Sequence, residues 1–302
     1  MSAPLAIRRA IDWGELAPLK LRARQVAEGV YAGMHRSNKR GAGVEFGGFR
    51  EYVQGDDLRW LDRRSLLRHD RLVVRQFETE TDRALCLLVD ASASMGFRSK
   101  GAPGAKVAFA AVLAAALARV ALSSGDPVSL TFLGGGARVS HVPRSAGRDQ
   151  FERIVAVLEA VEPGGDARVE HAVLDRALQA LARATRRGAI VVFLSDLVDL
   201  PDDAAERVAA IAATGRVVSV VQTLDPAEVA FPFAGTVRLR ALEGGAVVET
   251  DAEATRDRYL AALASLTATW ETAAVRRGGR FSRAITTDDP VSIVRGIVES
   301  VR

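Results

Sequence analysis

Cysteine is almost absent from this chain. The one thiol, Cys86, excludes a disulfide framework, and its place inside an apolar run marks it as a small buried hydrophobe. Histidine is nearly as scarce. His35, His69, His141 and His171 show no arrangement that suggests a Ser–His–Asp triad. No Walker A sequence occurs, so the chain itself is not expected to hydrolyse ATP. Aromatic residues make up only 6%, and none interleave with a basic groove in the way single-strand binders require. Lysine is rare as well: Lys20, Lys39, Lys100 and Lys106 are the only four among 41 basic residues. The arginines alternate with 37 acidic residues, which describes a mixed, solvated surface and not a phosphate-binding face.

Long hydrophobic runs are also missing. The longest, Val107 to Leu117, is rich in alanine, ends before Arg119 and is too short for a bilayer, so it reads as a buried helix. Arg8, Arg9 and Asp12 break up the apolar start, so no signal peptide is expected there. Together these features lead us to expect a cytoplasmic protein with no membrane span and no nucleic-acid partner.

What is present is 302 residues with a 48% hydrophobic content, enough for one large or two ordinary domains. The stretch Leu85 to Gly96 organises them. Leu85-Cys86-Leu87-Leu88-Val89 suits a strand buried on both faces of a parallel sheet. Asp90 ends the strand, Ser92 and Ser94 follow, and an alanine-rich helix begins near Lys106. One carboxylate and two hydroxyls then sit outside the carboxyl end of a strand, where open α/β sheets bind ligands. An all-oxygen set suits Mg²⁺ or Mn²⁺. The alternative is a plain strand-to-helix turn in which these side chains cap the helix.

Strand and helix patterns alternate from there. Helices are expected over 106–122, 151–161, 170–186, 202–213 and 252–277, with a last one opened by Pro290. Strands are expected over 127–133, 189–194, 216–222 and 281–285. Hairpins are expected at 127–142, turning on Gly134-Gly135-Gly136, and at 236–249 around Gly244-Gly245. The fold class is therefore α/β, a mostly parallel sheet with helices on both faces.

Before this region, Trp13 to Met34 has helical spacing. Gly55-Asp56-Asp57 is a turn signal between Tyr52 and Trp60, beside Arg50, Arg59 and Asp62. Adjacent carboxylates beside arginines suit either an acid/base or metal site or a structural ion network that fixes the loop.

Asp90-Ala91-Ser92-Ala93-Ser94 resembles the first motif of a von Willebrand factor A domain. A second resemblance covers nearly the whole chain. Gly33-Met34-His35-Arg36-Ser37, Val44-Glu45-Phe46, Arg50-Glu51-Tyr52, Gly55-Asp56-Asp57-Leu58-Arg59 and Leu61-Asp62 precede that motif in order. Leu224-Asp225-Pro226-Ala227-Glu228, Phe231-Pro232-Phe233, Leu242-Glu243-Gly244-Gly245 and Thr287-Asp288-Asp289-Pro290 follow it. This series is similar to the bacterial family known only as domain of unknown function 58, which joins an N-terminal signature to a von Willebrand A-like domain. Arg63 departs from the pattern, where the family usually has Trp.

The resemblance implies an N-terminal extension over 1–80 packed on an A-like domain over 81–302. It implies a divalent-cation site of Mg²⁺ or Mn²⁺ at Asp90, Ser92 and Ser94, with Asp196 after the next buried strand. The family's Thr is missing: Pro163-Gly164-Gly165-Asp166-Ala167 offers Asp166 or Ala167 in its place. It also implies a MoxR-type AAA+ ATPase partner, with Asp56, Asp57, Arg59 and Asp62 as a candidate docking signature. The expected function is a non-enzymatic protein-interaction module, alternatively a metal-independent scaffold with a vestigial site. A phosphoryl-transfer or hydrolytic enzyme is weaker, because an aspartyl nucleophile of the haloacid-dehalogenase kind needs a second Asp where Ser92 stands.

Overall fold

A computed structural model describes residues 11–38, 49–51, 73–75, 83–135, 141–165, 171–240, 242 and 247–301. The contacts divide the chain into two units, Met1–Gly33 together with Asp82–Arg302, and Met34–Thr81. The described residues up to Gly33 group with the later chain; most of the 1–80 extension expected from sequence lies outside the described residues. In the smaller unit, β1 (Phe49–Glu51) pairs antiparallel with β2 (Val73–Arg75), Arg50 facing Val74. The remainder of the 46–62 segment, including Asp56, Asp57, Arg59 and Asp62, lies outside the described residues.

The larger unit is built on a six-stranded sheet. Its strands are β3 (Leu85–Ala91), β4 (Val128–Gly134), β5 (Val142–Ser145), β6 (Ile190–Ser195), β7 (Val217–Leu224) and β10 (Arg280–Ile285), in the order β10-β7-β6-β3-β4-β5. All pairs are parallel except β4 with β5. Every residue of β3 is buried, as the near-continuous apolar run demands of a central strand covered on both faces.

One face carries α4 (His171–Ala184), α5 (Ala204–Ala209) and α7 (Ala252–Arg276). There Leu174, Leu181, Val208 and Trp270 pack on Cys86, Leu88, Val191, Phe193 and Val220. The other face carries α2 (Lys106–Ser123), which lies against β3, β4, β6 and β7 and touches α3 (Gln150–Ala160) and α8 (Pro290–Ser300). The helix α1 (Leu19–Asn38) joins this layer. Tyr31 donates to the Val120 carbonyl at 3.4 Å, and a Cβ at Gly29 would meet the Val291 methyls at 2.9 Å, so only glycine fits that approach.

The α2 helix matches the expected 106–122 to within one residue. Its 18 residues are long and apolar enough, by length and composition, to cross a membrane, yet 78% of them are buried within the protein. Its amphipathicity is low because almost its whole circumference faces protein, the pattern of a core helix.

Two elements differ from the sequence reading. The strand after the Gly134 turn is β5, Val142–Ser145, later than expected, and residues 136–140 lie outside the described residues. Pro143 is tolerated because β5 is an edge strand. The short helix α6 (Pro226–Ala230) was not foreseen. The hairpin around Gly244-Gly245 forms as β8 (Thr236–Arg240) with β9 (Val247–Asp251), antiparallel.

Candidate functional site

The chain leaves β3 for β4 on one side and later returns to β6 on the other. The carboxyl ends of β3 and β6 therefore flank a topological switch point, where the two connections part and leave a crevice. The register aligns Val89 with Leu194, so Asp90 stands beside Ser195 and one residue from Asp196.

Asp90 is buried and held from two sides. Its Oδ1 accepts the Ser92 backbone N–H at 2.8 Å, and its Oδ2 accepts the Ser195 hydroxyl at 2.5 Å. Burial, and then the neighbouring negative charge of Asp196, raise Asp90 to about 6, against the hydrogen bonds that lower it. The hydroxyls of Ser92 and Ser94 lie 3.0 Å apart, with Ser92 buried and Ser94 half-buried. Gly134 closes tightly over this loop: at φ +76°, a Cβ there would sit 3.0 Å from the Ser92 nitrogen. The next loop docks on it as well, since Gly164 N–H donates to the Ala91 carbonyl at 2.9 Å. That loop is the one in which the family resemblance sought a Thr. It can be followed to Gly165, and Asp166, Ala167 and Arg168 lie outside the described residues.

Asp196 faces a different partner. Its Oδ1 accepts the Val198 N–H at 3.0 Å, and its Oδ2 accepts from the Lys106 ammonium at 2.7 Å. Lys106 also donates to Glu228 Oε1 at 2.6 Å and lies 5.9 Å from the Phe97 ring centroid. Its side chain is only 1% exposed, as deep as the sheet core. Burial alone would lower the lysine's proton affinity. The two carboxylates outweigh it and hold the ammonium charged well above its ordinary range.

Lys106 is the first residue of α2, the end of a helix that favours anions. The helix has no capping side chain and no acid in its first turn, so Asp196 and Glu228 are what make a cation acceptable there. Glu228 is itself fixed by local chemistry. Asp225 and Glu228 form a reciprocal capping box on α6, Glu228 Oε2 accepting the Asp225 N–H at 2.8 Å. Asp225 Oδ2 then accepts the Ser99 N–H at 2.9 Å, which ties the β7 end to the loop after β3. Burial raises Glu228 although Lys106 opposes the shift. It also raises Tyr259, to about 12, with the negative charge of Glu228 adding to the effect.

The expected oxygen donors thus divide into two groups. Asp90, Ser92 and Ser94 converge on one loop. Asp196 stands on the neighbouring strand end, but its charge is already matched by an ammonium. Among the described residues, no three His, Cys, Asp or Glu side chains cluster so as to hold a metal ion. Among the described residues a dication would rely on a single free carboxylate, Asp90, and would stand near a fixed positive charge, so these residues fit a divalent cation poorly.

Three contributors were not singled out from sequence: Lys106, Ser195 and Glu228. The spacing Asp225-Pro226-Ala227-Glu228 is a readable capping-box signature, and a lysine opening an uncapped helix is a readable anomaly. Ser195 carries no signal of its own.

Comparison with known proteins places relatives beside this chain. Residues 48–269 match the family described as protein of unknown function DUF58. Uncharacterized proteins of Mycobacterium bovis and Mycobacterium tuberculosis are 32% identical over 268 residues, covering 87% of this chain and 82% of each relative. Among solved structures, the conserved hypothetical protein BatB from Bacteroides thetaiotaomicron aligns with a TM-score of 0.46 at 16% identity. It covers 72% of this chain and 98% of its own. An aerotolerance-related membrane protein from Bacteroides fragilis, solved with multiple mutations to serines, aligns at 0.45 with the same identity and coverages.

Proposed function

We propose that this chain, which belongs to the family of proteins of unknown function DUF58, is a non-enzymatic protein-interaction module that docks a partner at the carboxyl edge of its sheet. The observation that carries this reading is the half-buried Ser94 hydroxyl on the Asp90 loop, at the crevice between β3 and β6. The polar groups around it are engaged in holding loops: Asp90 by Ser92 and Ser195, Asp196 by Lys106, Asp225 by Ser99. The one hydroxyl that meets a base among these pairs, Ser195 on Asp90, is fully buried within the sheet edge, which favours docking over catalysis. The family resemblance points to a MoxR-type AAA+ ATPase as the partner, and assembly or remodelling of protein complexes as the setting.

The test is binding to the MoxR-type ATPase of the same organism by surface plasmon resonance. Ser94→Arg places a long cation on the docking edge without disturbing the sheet core. It is expected to weaken binding by at least about tenfold, while Arg276→Glu, on the exposed end of α7, leaves binding unchanged. Unaltered binding by Ser94→Arg would move the interface elsewhere.

A further inference from the structure

We propose that the Lys106 ammonium is the resident cation of this edge, fixing Asp196 and Glu228 in place of a bound divalent metal, so that the docking face is assembled without one. The inference rests on the reading of this edge as the docking face, but its test needs no partner.

Four observations converge. First, the ammonium reaches carboxylates from two separate connections, Asp196 after β6 and Glu228 on α6 after β7. It therefore does what an ion between loops does: it ties strand ends together through charge. Second, it is inaccessible, with 1% of its side chain exposed, so the positive charge is part of the fold and is not exchanged with solvent. Third, its position is electrostatically adverse for any other purpose, because Lys106 opens α2 at the positive end of the helix dipole. Fourth, Phe97, on the same loop as Ser92 and Ser94, lies over the ammonium, so the cation is connected to the loop as well as to the acids.

An isolated carboxylate pair at a strand edge attracts a hard dication. A lysine threaded into the pair supplies part of that charge covalently. It cannot be chelated, and its place does not depend on the free metal concentration. It also makes a dication beside Asp196 a competitor with a tethered and pre-positioned ligand.

The test is Mn²⁺ alone, titrated into the full chain and followed by water-proton relaxation and by thermal unfolding. Wild type is expected to bind no more tightly than about 1 mM, the loosest range of oxygen-ligand sites. Lys106→Met removes the resident charge and is expected to tighten Mn²⁺ binding at least about tenfold. Because Lys106→Met leaves two buried acids unmatched and can unfold, Lys106→Met with Glu228→Gln is measured beside it. Adding Asp90→Asn to either variant is expected to remove the gain. Submillimolar Mn²⁺ binding by wild type that Asp90→Asn abolishes would overturn the inference, as would a folded Lys106 variant that gains no affinity. If both Lys106 variants are unfolded, the wild-type titration alone decides. Failure of the docking reading would leave all of these results unchanged.

Discussion

Ser195 gives its hydroxyl hydrogen to Asp90 Oδ2 at 2.5 Å, and so joins the carboxyl ends of β6 and β3. The Ser195 hydroxyl oxygen in turn accepts the Leu197 N–H at 2.9 Å. Leu197 has φ of 66°, an unfavourable backbone for a leucine, so this serine also holds a strained turn in place. Its loss would leave a buried carboxylate with one donor fewer and a turn without its tether. Ser195→Ala should cost about 1.5–3 kcal/mol, the range for hydrogen bonds to charged groups, measured by urea unfolding. A loss below about 0.5 kcal/mol, the size of a neutral surface change, would mean that the two strand ends are held by the sheet alone.

Glu228 has two tasks, and two substitutions separate them. Its Oε2 caps α6, and its Oε1 meets Lys106. Glu228→Gln keeps an acceptor for the Asp225 N–H and removes the charge. Glu228→Ala removes both. Glu228→Ala should therefore be less stable than Glu228→Gln by about 1 kcal/mol, the usual worth of a cap. Equal stabilities would show that the capping box contributes nothing and that only the ion pair matters.

On the opposite face the core rests on large side chains. Phe193 is fully buried and its ring lies 5.9 Å from that of Trp270, at a 50° tilt. Phe193→Ala opens a cavity between β6 and α7 and should cost about 3–5 kcal/mol. Phe193→Leu, which keeps most of the volume, should cost much less. Similar losses for the two would mean that the aromatic contact, and not the filled volume, is what stabilises this face.

The parallel sheet was legible because its central strands are apolar on both sides. Leu85 to Val89 and Ile190 to Leu194 suit strands covered on both faces, and both lie inside the sheet. Asp90, Ser92 and Ser94 were legible as a group because they are neighbours in sequence. Lys106 and Glu228 were not, because their roles arise from a crossing of elements 122 residues apart. Periodicity describes one element at a time and cannot say which strand ends adjoin. The edge strand β5 was misplaced for a related reason. It is only four residues long and buries only Val142, too short and too weakly patterned a run to fix a register.

The last helix offers a clean pH experiment. Asp289 is the N-cap of α8, where its carboxylate accepts the Val291 and Ser292 N–H groups at 3.1 Å and the Ser292 hydroxyl at 2.7 Å. The hydroxyl is the main cause that lowers Asp289 below its ordinary value of 3.8, with the backbone donors adding to it and the slight burial opposing. A lowered carboxylate stabilises the fold in its ionised form. That contribution is complete above the ordinary value and disappears as the pH falls through the folded one. Asp289→Ala should therefore cost about 1 kcal/mol at neutral pH, and the gap between it and wild type should narrow as the pH drops below about 3.8. Asp289→Asn keeps an oxygen acceptor with no charge, so it should retain most of the cap and show no such narrowing against Asp289→Ala. Comparing the three chains at each pH cancels the acid sensitivity of every other carboxylate. A gap between wild type and Asp289→Ala that stays constant from neutral pH to about pH 3 would assign the cap to hydrogen bonding alone, with no part for its charge at the positive end of α8.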